Sequence, residues 1–321
     1  MTTRWLITGG AGYIGAHVAQ AFLDSGRQAV VLDDLSSGKE GFVPHGAEFI
    51  HGDVVNPNHL DRAIGTGIDG VVHLAGFKYA GVSVQRPLHT YRQNVTGMVE
   101  LLAALQRHKV TKIVFSSSAA VYGTPDVDIV TEETETHPES PYGESKLIGE
   151  WLLRDQARAT ELAHTSLRYF NVVGTASPRI RDVSPHNLIP LVLGALQEGR
   201  TPQIFGGDYP TPDGTCVRDY VHVQDVALAH AAAAARLEAG SPIERVYNLG
   251  AGTGTSVAEI MQVAAEVTGI NFTPEIGPRR PGDPARIVAS GALAARDLDW
   301  ARRYTLTEMV ASAWGALTNQ A

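Results

Sequence analysis

Short apolar runs alternate with helix-length segments through the first half of the chain. The stretches 14–25 and 94–107 carry apolar residues at helical spacing. The apolar runs of strand length lie at residues 4–8, 28–32, 70–74, 112–116 and 166–170. Strands that alternate with helices need crossover connections. The pattern therefore predicts an α/β fold: a doubly wound parallel sheet with helices on both faces.

The pattern changes after residue 170. Segments rich in Pro, Gly and Asp, predicted to be loops, span 177–190, 203–214 and 274–284, and helical patterns recur at 225–237 and 257–268. We therefore predict two domains. Residues 1–175 form the first, and residues 176–321 form a smaller α/β domain. A segment near 218–250 is expected to return to the first domain.

Composition and charge narrow the class of protein. The 321 residues carry a formal net charge of −8, which disfavours nucleic acid or a membrane surface as the main partner. The one cysteine, Cys216, excludes an internal disulfide and a Cys-rich metal site, and the 12 histidines are scattered, so no metal is expected. No apolar run approaches the roughly 18 residues of a membrane span, and the N-terminus lacks a signal peptide's apolar core. We expect a soluble, cytoplasmic protein.

The first strand is followed by a glycine-rich turn, TGGAGYIG, at residues 8–15. Gly9, Gly12 and Gly15 allow a tight turn, close approach of the backbone to a pyrophosphate, and close packing of the following helix. The free N–H groups of that helix attract phosphate. Asp33 ends the second strand, where a carboxylate accepts both ribose hydroxyls and repels a 2′-phosphate. The sequence predicts a Rossmann-like domain that binds NAD rather than NADP.

Three other segments bear on this site. Asp53 follows a third apolar strand, where it either meets the adenine amino group or serves as an ordinary turn residue. The small residues of HLAGFK, 73–78, would let the backbone approach the cofactor. The glycines of residues 250–254 are better explained as a strand–helix turn with Ser256 near the N-cap than as a second phosphate loop.

A serine run and a Tyr-x-x-x-Lys pair indicate the chemistry. Ser118 follows the apolar run at 112–116. Tyr142 and Lys146 lie one turn apart at the start of a helix, so their side chains share a face. A phenol near pKa 10 is a poor base at neutral pH. The Lys146 ammonium and a nicotinamide cation are expected to lower the pKa of Tyr142 towards the working range, while Ser118 holds the substrate hydroxyl.

Together the motifs resemble the extended short-chain dehydrogenase/reductases, and more narrowly the family of UDP-glucose 4-epimerases. The resemblance rests on TGGAGYIG, Asp33, HLAGFK, SSSAAVYG, PYGESK and LRYFNVVG. It extends almost to the end of the chain through IFGGDYPTPDGTCVRDYVHVQD, YNLGAG and PRRPGD. It implies an NAD-dependent isomerase of galactose metabolism and a homodimer paired through helices near 94–107 and 142–158.

The resemblance also assigns residues. NAD contacts are implied at Gly9, Gly12, Tyr13, Ile14, Gly15, Asp33, Asp34, Leu35, Ser36, Ser37, Gly38, Asp53, Val54, Leu74, Ala75, Gly76, Lys78, Gln93 or Asn94, Ser118, Tyr142, Lys146 and Phe170. Contacts with the nucleotide sugar are implied at Lys78, Ser118, Tyr142, Asn171, Asn187, Leu188, Phe205, Arg218, Tyr220, Arg280 and Asp283. Arg218 and Arg280 are suited to clamp a pyrophosphate, and Phe205 to pack on uracil.

The implied reaction inverts C4 of a UDP-hexose, UDP-glucose or UDP-galactose, through a transient 4-keto sugar. A 4,6-dehydratase is disfavoured because that family carries Asp-Glu where Ala119 and Ala120 follow Ser118 here. Epimerases or decarboxylases of UDP-glucuronate, UDP-pentose epimerases and a non-catalytic NAD-binding regulator remain alternatives. Ile287 falls where the family limits the sugar pocket, which slightly favours tolerance of N-acetyl sugars.

Overall fold

The computed structural model describes residues 2–280 and 283–318. Pro281 and Gly282 of the PRRPGD motif lie outside these ranges. So do Met1, which begins the first predicted domain, and residues 319–321, which end the second. The strands are β1 (Arg4–Thr8), β2 (Gln28–Asp33), β3 (Glu48–His51), β4 (Gly70–His73), β5 (Lys112–Ser116), β6 (Ala163–Tyr169), β7 (Asn171–Val173), β8 (Gln203–Phe205), β9 (Val217–Arg218), β10 (Tyr220–His222), β11 (Val246–Leu249), β12 (Thr255–Ser256), β13 (Glu275–Gly277) and β14 (Arg286–Ile287). The α-helices are α1 (Tyr13–Asp24), α2 (Pro57–Ile64), α3 (Ala80–Gln85), α4 (Pro87–Tyr91), α5 (Gly97–His108), α6 (Pro141–Ala159), α7 (Leu188–Gln197), α8 (Val223–Glu238), α9 (Val257–Thr268), α10 (Ala292–Leu298) and α11 (Leu306–Thr318).

A seven-stranded sheet in the order β11-β6-β5-β4-β1-β2-β3 forms the centre of the fold. Every neighbouring pair in it is parallel. This confirms the predicted doubly wound sheet. The order reverses between β1 and β4, so the carboxyl ends of these two strands open a crevice where ligands of such sheets bind.

Helices cover both faces because successive strand residues point to opposite sides. Trp5 and Ile7 of β1 pack with α1 and α8 on one face, and Leu6 packs with α2, α5 and α6 on the other. β11, which follows α8, pairs with β6 and adds the seventh strand. Residues 246–249 therefore lie in the same sheet as the N-terminal strands.

The remaining strands form three small sheets beside the carboxyl edge of the large one. β7 pairs with β10, β8 pairs with β13, and β9 lies between β12 and β14. A separate apolar cluster joins α7, α9 and α11 around Val192, Ile260 and Met309. These elements face the ends of the central strands and form the far wall of the crevice.

Four segments differ from the sequence prediction. Two of the segments predicted as loops contain strands, because the short apolar runs of β8 and β13 pair with each other between the turns that Pro and Gly mark. The third predicted loop ends where α7 begins at Leu188. The helix predicted from residue 94 starts instead with a π-helical turn, Arg92–Thr96, before α5. Such turns are frequent at functional sites.

Candidate active site

A cleft of about 1140 Å³ runs along the carboxyl edge of the central sheet, between that sheet and the small sheets. It begins at the glycine-rich turn after β1, passes the end of β5 and the start of α6, and reaches Arg218 and Arg280. The cleft therefore joins both sets of residues that the sequence motifs predict. Its walls come from segments more than 200 residues apart in the chain.

The glycine-rich turn gives the cleft a surface of bare backbone. Gly9 adopts φ +72°, and a Cβ there would lie 2.7 Å from the amide nitrogen of Ala75. A Cβ on Gly15 would collide with the carbonyl oxygen of Gly9. Gly12 caps α1, whose first free N–H groups lie at this end of the cleft. Only glycine allows this cradle, which suits a pyrophosphate.

Asp33 stands at the end of β2 with 7% of its surface exposed. Its carboxylate accepts the N–H of Ala11 at 3.0 Å and the N–H of Leu35 at 2.8 Å, so it ties the glycine-rich turn to the loop after β2. Burial raises the pKa of Asp33, and the two backbone donors oppose that rise. The carboxylate lines the cleft, where its remaining lone pairs can accept hydroxyl groups.

Asp53 fits both interpretations that the sequence left open. Its Oδ1 accepts the N–H of Val55 at 3.0 Å, which is the bond of an ordinary Asx turn. The residue also lines the cleft.

Asn94 joins two segments of the protein beside the cleft. Its amide group donates to the carbonyl of Phe77 and to Ser145 Oγ, and it accepts the N–H of Phe77. These bonds hold the loop after β4 against α6. Gln93, its neighbour in the π-helical turn, lines the cleft instead. Of the two residues that the resemblance offered, Gln93 is the one that lines the cleft.

Ser118, Tyr142 and Lys146 meet at the middle of the cleft. Ser118 accepts the N–H of Ala120 at 3.2 Å, and it lies close enough to the Tyr142 hydroxyl to lower the pKa of that phenol. Ser140 caps α6 by accepting the N–H of Gly143, so Tyr142 and Lys146 lie on its first turns. Lys146 Nζ donates to the carbonyl of Ser116 at 2.9 Å and lies 5.8 Å from the Tyr142 ring centroid. The predicted arrangement of the three side chains is present.

The protein groups alone shift the pKa of Tyr142 upwards, opposite to the direction predicted with a nicotinamide cation in place. Burial raises the pKa of Tyr142, and the hydrogen bond from Ser118 only opposes that rise. Burial also lowers the pKa of Lys146 to about 8, against the negative charge of Glu150, which raises it. Desolvation of the phenol raises its pKa, an effect that the spacing of Tyr142 and Lys146 does not reveal.

A buried ion pair supports this group from behind. Glu150 lies one turn after Lys146 and accepts two bonds from Arg168, at 2.8 and 2.5 Å. It also accepts the hydroxyl of Ser117 at 2.5 Å. Ser117 lies between Ser116, whose carbonyl binds Lys146, and Ser118, which lies beside Tyr142. The ion pair therefore fixes the end of β5.

The opposite end of the cleft is lined by cationic and aromatic side chains. The Arg280 guanidinium lies 3.9 Å from the centroid of the Phe205 ring. Arg218 Nη2 lies 3.5 Å from a carboxylate oxygen of Asp283. Asn187 donates to Asp182 at 2.6 Å. Two guanidinium groups and an aromatic ring at one end of a cleft suit a nucleoside diphosphate.

Most of the predicted site residues lie in this cleft. Those that line it are Gly9, Gly12, Tyr13, Ile14, Gly15, Asp33, Asp34, Ser36, Ser37, Asp53, Val54, Leu74, Ala75, Gly76, Lys78, Gln93, Ser118, Tyr142, Lys146, Phe170, Asn171, Asn187, Leu188, Phe205, Arg218, Tyr220, Arg280 and Asp283. Within the described part of the chain, Leu35, Gly38 and Asn94 are not among the lining residues. Leu35 and Gly38 instead pack around Asp33, since Leu35 donates to its carboxylate and a Cβ on Gly38 would lie 2.7 Å from it.

Ile287 packs against the apolar cluster that contains Phe170. Across residues 2–280 and 283–318, it is not one of the side chains that line the cleft. Its influence on the sugar pocket would therefore act through Phe170.

Two pairs of aromatic rings in the wall of the cleft were not predicted from the sequence. The rings of Tyr79 and His186 lie 4.8 Å apart, and those of Phe77 and His89 lie 5.1 Å apart. All four line the cleft. Phe77 and Tyr79 flank Lys78, so the motif HLAGFK marked their location, although no local pattern indicated that His186 would meet them.

The described residues contain neither a metal-ligand cluster nor a membrane-spanning helix. No three His, Cys, Asp or Glu side chains of residues 2–280 and 283–318 form a group that would hold a metal ion. No helix within the same ranges has the length and apolar character to cross a membrane.

Known proteins share this fold and these motifs. The chain is 42% identical over 315 residues to the UDP-glucose 4-epimerase of Corynebacterium glutamicum, which covers 97% of this chain and 94% of that protein. A crystal structure of a UDP-glucose 4-epimerase superposes with a TM-score of 0.95 and 41% identity, covering 99% and 98% of the two chains. The Stenotrophomonas maltophila UDP-glucose-4-epimerase, solved with bound NAD and formylated UDP-arabinopyranose, gives a TM-score of 0.93 and 37% identity, covering 99% of each chain.

The match to a defined family covers most of the chain. Residues 5–250 match the NAD dependent epimerase/dehydratase family, from the first strand of the central sheet to the end of its last. The similarity to the epimerases above confirms the resemblance that the motifs indicated. The chain therefore belongs to the NAD-dependent epimerase/dehydratase family.

Proposed function

We propose that the protein interconverts UDP-glucose and UDP-galactose by NAD-dependent epimerisation at C4. The observation that carries this proposal is the position of the group formed by Ser118, Tyr142 and Lys146 in the cleft. It lies between the glycine cradle at one end of the cleft and the Arg218–Arg280 pair at the other. A sugar whose diphosphate binds the arginines would reach the phenol, and the cradle would place a dinucleotide beside it.

The residues present fit NAD. The cradle of Gly9 and Gly15 suits its pyrophosphate, and Asp33 suits the ribose hydroxyls and repels a 2′-phosphate. Bound NAD would supply a reversible acceptor for the hydride at C4 of the sugar. Lys146 and Ser118 lie where the cofactor and the sugar would meet.

Tyr142, assisted by Ser118 and Lys146, transfers the proton of the sugar 4-hydroxyl. Tyr142 takes the proton of the sugar 4-hydroxyl as C4 is oxidised, and it returns a proton to that same oxygen when C4 of the 4-keto sugar is reduced again from its opposite face. Ser118 holds the sugar oxygen within reach of the phenol. Because burial raises the pKa of Tyr142, the phenolate needs positive charge nearby, and Lys146 is the cation on the same face of α6.

Inversion requires the nucleotide to stay bound while the sugar turns. Arg218 and Arg280 would hold the diphosphate through charge-assisted hydrogen bonds, and Phe205 would pack on the uracil. The two alanines after Ser118 offer no acid or base for elimination of water. This supports epimerisation over dehydration.

The first test is incubation of the purified protein with UDP-galactose, without added NAD, while UDP-glucose formation is followed by chromatography. Tyr142→Phe should lose activity by roughly 10²- to 10⁴-fold because proton transfer is removed. Tyr91→Phe is the matched control, since its hydroxyl bonds Glu144 on the outer side of α6. No conversion by the wild type, even with NAD supplied, would refute the hexose assignment.

A UDP-pentose is the second candidate substrate. The observation that favours it is the UDP-arabinopyranose derivative bound to the similar Stenotrophomonas protein. Conversion of a UDP-pentose without conversion of UDP-galactose would replace the hexose by this substrate.

We further propose a homodimer that acts in the cytoplasm. Val99 and Trp151 are 44% and 47% exposed on α5 and α6, the helices expected to pair, and Leu88 is 84% exposed on α4, shortly before α5. The single cysteine is free and buried, which fits a reducing compartment. We retain the boundary near residue 175 as a proposed domain division. Sedimentation analysis of wild type and Leu88→Asp would test the dimer.

A further inference from the structure

Asp219 is a buried carboxylate that the proposed reaction does not use. It lies between Arg218 and Tyr220, which both line the nucleotide end of the cleft, yet its own exposure is 0%. Burying an ionised carboxylate is costly unless several donors satisfy it.

Three backbone N–H groups converge on this carboxylate. Oδ1 accepts the N–H of Ala251 at 2.8 Å, and Oδ2 accepts those of Gly252 at 3.2 Å and Ala289 at 3.1 Å. The backbone carbonyl of Asp219 accepts the N–H of Asn171 at 3.0 Å. The glycine-rich turn after β11 thus binds an anion, but the anion is a side chain of the protein itself.

These bonds hold both neighbours of β9. Ala251 and Gly252 lead into β12, which pairs with Arg218 from one side, and Ala289 follows β14, which pairs with it from the other. The N–H of Gly252 also donates to the carbonyl of Ala289 at 3.0 Å, which joins the two segments directly. A single carboxylate therefore fixes the strand that carries Arg218.

We propose that Asp219 is a positioning residue for the nucleotide diphosphate, which fixes Arg218 and Tyr220 at the cleft through its bonds to the segments on either side of them. This inference rests on the proposed UDP-sugar function. It predicts that loss of the carboxylate weakens nucleotide binding and leaves the proton-transfer groups of α6 and β5 in place. Burial raises the pKa of Asp219 to about 6, so at pH 8 the group is ionised and accepts all three bonds.

The test compares Asp219→Asn with Asp225→Asn at pH 8, with UDP as the probe in isothermal titration. Asp225 is a matched control because it is 1% exposed, accepts the N–H of Arg303 at 3.0 Å and lies just six residues further along, away from the lining of the cleft. We expect Asp219→Asn to raise the Kd for UDP and the KM for UDP-galactose by about tenfold. Its kcat should stay within about threefold of the wild type, and Asp225→Asn should leave both binding constants unchanged.

Equal UDP affinity in Asp219→Asn and wild type would overturn the inference, as would equal losses in the two variants. If Asp219→Asn does not fold, amide exchange of the wild type decides. Slower exchange at Ala251, Gly252 and Ala289 on addition of UDP supports the role, since none of these residues lines the cleft, and unchanged exchange overturns it. A wild type that binds no UDP would overturn the proposed function and this inference with it.

Discussion

Replacing Glu150 by glutamine should weaken both the stability and the catalytic group of this protein. The side chain is 7% exposed and accepts two bonds from Arg168 and one from Ser117. Glutamine keeps the shape but removes the charge, so Arg168 would stay buried without its counter-ion. Breaking a buried pair in this way costs about 3–5 kcal/mol. We expect a loss of that size in the free energy of unfolding, measured by urea titration.

The same substitution should shift the pH dependence of turnover. The charge of Glu150 raises the pKa of Lys146, which burial otherwise lowers and which stands at about 8. Without that charge the pKa falls further, so Lys146 loses its proton at a lower pH. We expect the basic limb of the pH–rate profile to move to lower pH in Glu150→Gln.

The exposed pair of Arg107 and Asp61, 2.9 Å apart, supplies the control. Asp61→Asn should change stability little, because exposed ion pairs contribute little. A double variant, Glu150→Leu with Arg168→Met, should be less destabilised than either single variant, since no charge remains buried alone. If Glu150→Gln unfolds within about 1 kcal/mol of the wild type, the ion pair does not hold the end of β5.

Two further predictions concern the cofactor cradle and acid stability. Gly15→Ala should reduce the NAD that copurifies with the protein, measured by absorbance of the denatured extract, because its Cβ would strike the Gly9 carbonyl; Gly41→Ala, with no atom within 4 Å, should retain NAD, and equal NAD content would contradict the cradle. Burial lowers the pKa of four histidines, to about 3 in His73 and about 4 in His164, His222 and His230. The unfolded chain therefore binds protons that the folded chain excludes between about pH 6.5 and 4, so the free energy of unfolding should fall by roughly 1.5 kcal/mol per histidine from pH 6.5 to 5. The raised pKa values of Asp33, Asp219 and Asp225 oppose this fall, and urea titrations that agree at the two pH values would refute the lowered pKa values of these histidines.

The central sheet was predictable because each of its parts has a local signal. The apolar run of β1, the glycines after it and the periodicity of α1 lie within 21 residues, from Arg4 to Asp24. β8 and β13 were not predictable, since each is only three residues long and pairs with the other, about 70 positions away in the chain. The π-helical turn at Arg92–Thr96 was also hidden, since the bonds that its residue Asn94 makes with Phe77 join positions 17 residues apart in the chain.

The candidate site divides in the same way. The spacing of Tyr142 and Lys146 fixes their common face of a helix, so sequence alone predicts their meeting. The direction of the pKa shift of Tyr142 depends on burial by elements far along the chain, which no local pattern reveals. Asp219 illustrates the limit most clearly, because the glycines it binds suggested a strand–helix turn but not what the free N–H groups of that turn would hold.

Glu150 and Asp219 perform the same task at the two ends of the cleft. Glu150 holds the end of β5 beside the proton-transfer groups, and Asp219 holds β9 beside the nucleotide groups. Their bonds lie in separate elements and share no residue. A reaction in which the nucleotide stays fixed while the sugar turns needs two rigid ends and a space between them, and two independent anchors supply that. It follows that loss of Glu150 should act mainly on kcat and loss of Asp219 mainly on KM, and that their effects on the free energy of the transition state should add.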